Sequence, residues 1–229
     1  MNIYLLPLLA VLIGSIAVVF FSEKAIKTSS QLTLAFSGAF LLSITVFDLL
    51  PDVFIDNYLK SKYDTKLIGL MIMLGILFQV ILEFFSKGAE HGHTQKKDNN
   101  FPVVLLASLC LHAFIEGFSI ELNNNILYGI FVHKIPIAFI ITVSLLNSKV
   151  TKYKIILFIL IFSIMTPLGT YISNNNDIIQ IISNLVNSFV IGLLLHVSTT
   201  ILFESSEGHK FNIVKITLIS FAILLAYFI

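Results

Sequence analysis

"FPVVLLASLCLHAFIEGFSIEL", residues 101–122, is long and apolar enough to cross a bilayer as one helix, yet it carries His112 and Glu116 in its interior. Neither residue belongs in hydrocarbon on solubility grounds. A charge at the bilayer centre costs several kilocalories per mole, so an ionisable side chain at that depth is a functional candidate by default. A spacing of four is slightly more than one helical turn, so both side chains project from the same face.

The whole chain has the same character. Of its 229 residues 57% are hydrophobic and only 12% are charged, about half the charged share of a soluble domain. Its mean hydropathy is +0.95. A soluble fold of this size has no place to hide that much apolar surface, so the composition predicts an integral membrane protein. The net charge of +1 and basic residues that are all lysine give no sign of nucleic-acid binding. The single cysteine, Cys110, excludes an internal disulfide and a cysteine-based zinc site, and it reads as a small packing residue.

Eight apolar runs are long enough to span a bilayer: 3–21, 32–50, 67–85, 101–122, 126–146, 153–172, 178–203 and 211–229. The first lacks a basic start and a small-residue cleavage pattern, and it reads as a retained helix. The separators are polar and turn-rich, and none resembles a soluble domain. The expected architecture is therefore an all-α membrane domain covering residues 1–229, with its main cytoplasmic loop at 86–100. Lysine placement sets the orientation. With the N-terminus outside, the inner loops and flanks hold Lys24, Lys27, Lys87, Lys96, Lys97, Lys149, Lys152, Lys154, Lys210 and Lys215. The outer side holds Lys60, Lys62 and Lys66, interleaved with Asp56 and Asp64. Both termini are thus expected outside. The second and seventh runs, "FLLSITVFDLLPD" and "GLLLHVSTTILFE", share a loose pattern of the kind that repeated transporter halves carry.

The fifth run adds a third ionisable residue, His133. The short connection "ELNNN" makes the fourth and fifth runs antiparallel neighbours. His133 lies about 11 residues beyond it, His112 about 10 before it and Glu116 about 6 before it; at 1.5 Å per residue His112 and His133 are almost level, and Glu116 is offset by roughly 7–8 Å. The three side chains can meet if the helix faces agree. Two imidazoles and a carboxylate suit a divalent cation such as zinc, with a position left for water. The same donors suit iron(II) or manganese. Pro136, in mid-helix, frees the carbonyl of Val132 beside His133.

These motifs resemble those of the ZIP family of divalent-metal transporters. That family carries HNxPEG and HxxPE on its fourth and fifth spans. Here "HAFIEG" (112–117) keeps the His, Glu and Gly, and "HKIPI" (133–137) keeps the His and Pro. "DLLPD" (48–52) is similar to the acidic or histidine-bearing end of the family's second span, often HLLPE. The resemblance covers essentially the whole chain. It implies a bundle of eight spans with both termini outside, a multi-pass place in the cell membrane (the cytoplasmic membrane if bacterial), and a homodimer. It also implies alternating-access transport of a divalent metal toward the cytoplasm, with Zn2+ as substrate and Fe2+, Mn2+ or Cd2+ as other candidates.

Departures from the pattern narrow that expectation. Ala113, Ile115 and Ile137 stand where the family usually has asparagine, proline and a second glutamate. A two-metal centre looks reduced to one site of His112, Glu116 and His133. Lys134 occupies a position where other members place a ligand of the second metal, and its ammonium can stand in for that cation beside Glu116. His196 in the seventh run is a candidate additional ligand or proton relay. Asp48 and Asp52 are candidate entrance groups, and Glu204, Glu207 and His209 candidate exit groups. His91 and His93, in "EHGH", match the family's metal-capturing inner loop. Two rival readings use the same residues: an intramembrane zinc hydrolase, in which the metal activates water, and a metal sensor that does not transport.

Overall fold

The computed structural model describes residues 3–20, 23–60, 62–86, 102–120, 124–148, 150–204 and 213–229, with the backbone alone given at 23–30, 60, 86, 124 and 204. The described residues form helices and connecting turns, with no strand among them. In order these are α1 (Leu5–Ala17), α2 (Glu23–Ile44), α3 (Leu50–Lys60), α4 (Thr65–Ser86), α5 (Val103–Glu116), α6 (Asn124–Leu146), α7 (Lys152–Asn174), α8 (Asp177–Ile181), α9 (Ser183–Glu204) and α10 (Ile213–Tyr227). Five helical stretches are long and apolar enough to cross a membrane: Gln31–Leu59, Thr65–Phe85, Asn125–Leu146, Lys152–Asn174 and Ser183–Phe203. Three shorter apolar helices accompany them, Leu5–Phe20, Val103–Ser119 and Ile213–Tyr227.

The first, fourth and eighth expected runs are these shorter helices, and the second and seventh differ in course. The second was expected to stop near Leu50, ahead of Pro51. Instead, the five-residue turn Thr45–Leu49 is a π-helix that hands over directly to α3, which continues to Lys60. Proline removes a backbone N–H and its ring crowds the carbonyl four residues back, here that of Phe47. The wider turn, closed by the Leu50 N–H on the Thr45 carbonyl, moves that backbone aside and lets the helix run on. Asp48 and Asp52 therefore lie within a continuous helical rod rather than at its end. The seventh run, expected as one helix from 178, is broken at Ile182 into α8 and α9. Asn176 caps α8, accepting from the Ile178 and Ile179 amides at 3.0 and 3.1 Å. The other end of α8 is closed by the Lys62 ammonium, which donates to the Ile181 carbonyl.

Small residues let the helices that matter for the site approach closely. A Cβ at Gly169 of α7 would lie 1.9 Å from the Phe114 carbonyl oxygen of α5, and one at Gly117 would lie 2.3 Å from the Thr166 oxygen. Only glycine fits there. The contact is tied by hydroxyls: Thr166 Oγ1 donates to the Ala113 carbonyl at 2.8 Å, Thr170 Oγ1 to that of Gly117 at 2.8 Å, and Ser173 Oγ to that of Phe118 at 3.2 Å. Small residues and hydroxyl bonds are how helices associate in lipid, where burial of apolar surface supplies little drive. α4 approaches α9 in the same manner, through Gly75 against Phe189 and Gly192 against Ile72. α1 lies along α6, and α2 packs on α6, α9 and α10.

Candidate metal centre

α5 and α6 bring His112, Glu116 and His133 together. Each offers a ligand atom, and these atoms lie within 4.8 Å of one another. All three side chains are buried, at 3%, 0% and 1% exposure. His112 Nε2 faces Glu116 Oε2 at 4.0 Å, and the two imidazole centroids are 6.5 Å apart. Ligands about 2.1 Å from a tetrahedral zinc stand about 3.4 Å from each other, so the set would contract by at most about 1.4 Å around an ion.

Lys134, next in sequence to His133, is also buried, and its Nζ lies 2.7 Å from Glu116 Oε2. The same ammonium lies 5.3 Å from the centre of the Phe162 ring on α7. An ion pair in hydrocarbon holds only when each charge meets its partner at close range. Glu116 Oε1 has no hydrogen-bond partner among the described residues. Beyond the pair the surroundings turn apolar. Ala113 and Ile137 join Leu109, Phe158 and Phe162 in one buried hydrophobic cluster. Glu116 thus meets an ammonium at Lys134, while apolar side chains stand at positions 113 and 137. Pro136 lies within α6, three residues beyond His133.

Those of the other residues singled out from the sequence that the structure describes fall elsewhere. His196 is not gathered into the three-residue set; its Nε2 lies 2.7 Å from Glu83 Oε2 of α4, both about one-fifth exposed. Its partner is a carboxylate on the neighbouring helix because α4 and α9 are held in close contact. Asp48, in the π-turn, accepts a hydrogen bond from Asn125 Nδ2 at 3.3 Å, and Asp52 is exposed. Glu204 ends α9, with its side chain outside the described residues. Glu207, His209, His91 and His93 also lie outside the described residues.

Two residues of the site's surroundings escaped the sequence reading. Gln79 of α4 is fully buried, and its Oε1 lies 3.0 Å from His112 Nδ1. Glu83, the partner of His196, follows it by four. The signal was present: two polar residues one turn apart in an apolar run, the same logic that identified His112 and Glu116.

A family model described as "ZIP Zinc transporter" matches residues 99–228, which include His112, Glu116, His133 and His196. The protein zntD of Dictyostelium discoideum is 24% identical over 165 residues, covering 62% of this chain and 24% of that protein. Zinc transporter ZIP1 of Danio rerio is 38% identical over 72 residues, covering 29% of this chain and 24% of that protein. Each alignment thus spans about a quarter of the length of the curated relative it matches.

Proposed function

This chain belongs to the ZIP family of zinc transporters, and on that premise we propose that it moves a divalent metal, zinc first among candidates, across a membrane toward the cytoplasm. It is a multi-pass α-helical membrane protein. The observation that carries the proposal is the convergence of His112, Glu116 and His133, buried between two apolar helices with ligand atoms within 4.8 Å. Two neutral imidazoles and a carboxylate offset the dehydration of a divalent ion. Zinc is preferred to Fe2+, Mn2+ or Cd2+ because the family model and the Danio rerio relative carry zinc in their names.

The centre holds one ion. Lys134 supplies the charge of a second cation by pairing with Glu116, and the side chains at Ala113 and Ile137 have no ligand atom to offer one. Helix rearrangement exposes the site alternately to each side, and protonation of its ligands eases release. In the same reading the chain has eight spans with both termini outside and works as a homodimer in the cell membrane. Asp48 and Asp52 attract ions at the entrance, Glu204, Glu207 and His209 serve the exit, and His91 and His93 capture metal in the inner loop. His196, paired with Glu83, serves as a proton relay rather than as a ligand of the central ion. The transporter reading is preferred to a zinc hydrolase because the matching family is one of transporters.

Zinc uptake into proteoliposomes containing the purified protein tests the proposal. Glu116→Gln and His112→Ala are expected to abolish uptake while still inserting in the membrane. Normal uptake by both variants would refute it.

A further inference from the structure

We infer that Gln79 is a positioning residue for the metal centre: its side-chain oxygen holds His112 as the Nδ1–H tautomer, which turns the Nε2 lone pair toward Glu116. The inference rests on His112 being a metal ligand, as proposed above. One face of α4 looks outward, with Leu70, Met73, Leu77, Val80 and Phe84 all exposed, and the other packs inward through Ile68, Gly75 and Leu82. Gln79 is its buried polar exception, at 0% exposure. An amide taken out of water at that depth costs about 1–3 kcal/mol unless it is hydrogen-bonded, so its partner matters. The Gly75 approach to the Phe189 carbonyl, one turn earlier, keeps α4 pressed inward and fixes the depth of Gln79.

The chemistry of the contact selects a tautomer. A neutral imidazole has one N–H and one lone pair, and an amide oxygen only accepts. Gln79 Oε1 at 3.0 Å from Nδ1 therefore requires the hydrogen on Nδ1. Nε2 is then the basic nitrogen, and it is the one that faces the Glu116 carboxylate at 4.0 Å. Two electron-pair donors facing each other at that distance make a cradle for a cation. A partner that accepts from the distal N–H also makes the ligating nitrogen more basic, and loss of such partners typically weakens metal binding about 10- to 100-fold. Gln79 lies on a third helix, so the site is built from α4 as well as from α5 and α6.

The test uses full-length protein with 15N-labelled histidine in lipid nanodiscs, free of metal and at a pH where imidazoles are neutral. In the wild type His112 is expected to have a protonated Nδ1 and an unprotonated Nε2, and added zinc is expected to shift Nε2. Gln79→Met, close in shape but without an acceptor, should lose that tautomer and weaken zinc binding about 10- to 100-fold. Gln79→Glu keeps an acceptor and should retain both the tautomer and the affinity. A wild-type His112 with its hydrogen on Nε2 would overturn the role of Gln79, and this result does not depend on the folding of any variant. So would a Gln79→Met protein with unchanged tautomer and affinity. A His112 ring that zinc does not move would instead overturn the ligand assignment on which the inference stands.

Discussion

The Lys134 ammonium lies 2.7 Å from the Glu116 carboxylate, and both side chains are buried among helices. Each charge is tolerable there only because of the other. Removing one member of a buried ion pair costs about 3–5 kcal/mol, whereas replacing both by neutral groups of similar shape costs far less. Lys134→Met should therefore lower the melting temperature of the metal-free protein markedly, and Glu116→Gln added to it should recover much of the loss. Thermal melts of the two single variants and the double variant give the coupling. A Lys134→Met protein as stable as the wild type would show that the pair is not holding the fold.

The seat of the centre depends on how closely α5 lies against α7. A Gly169→Ala methyl would meet the Phe114 carbonyl at 1.9 Å, a backbone atom that cannot turn away. Overpacking of this kind costs about 1–3 kcal/mol, and here it pushes away the helix that carries His112 and Glu116. Both thermal stability and zinc affinity should fall. Gly69→Ala in α4 is the control, since nothing lies within 4 Å of its added Cβ. It should be neutral or slightly stabilising, because alanine favours helix by about 1 kcal/mol over glycine.

His196 is engaged with Glu83, away from the three-residue set. Substitutions at independent sites add with little interaction. Calorimetric titration with zinc should accordingly give His196→Ala a central-site affinity within about twofold of the wild type. A loss of tenfold or more would place His196 in the metal centre after all.

Much of the fold was legible because lipid imposes one rule on every span: about 20 apolar residues in a helix that satisfies its own backbone. The likeness in depth of His112 and His133 was legible for the same reason, since helical rise and a short connection are local quantities. What stayed hidden depends on contacts distant in sequence or on local backbone detail. Gln79 and Glu83 stand out in the sequence as polar residues one turn apart, but their partners follow from the register of α4 against α5 and α9, which no local pattern gives. The π-turn at Thr45–Leu49 was missed because Pro51 reads locally as a helix stop. Only the backbone five residues upstream reveals that the chain widens and continues. At the break near Ile182 the Ile181 carbonyl is met by Lys62, a residue from far up the chain.

A single divalent ion held by His112, Glu116 and His133 is the arrangement proposed for this chain. Counting zinc in the purified, desalted protein by elemental analysis, alongside His133→Ala, tests it most directly. One tightly held zinc per chain is expected in the wild type, and its loss in the variant. Two zinc ions per chain at full occupancy, or one that survives His133→Ala with unchanged affinity, would contradict it.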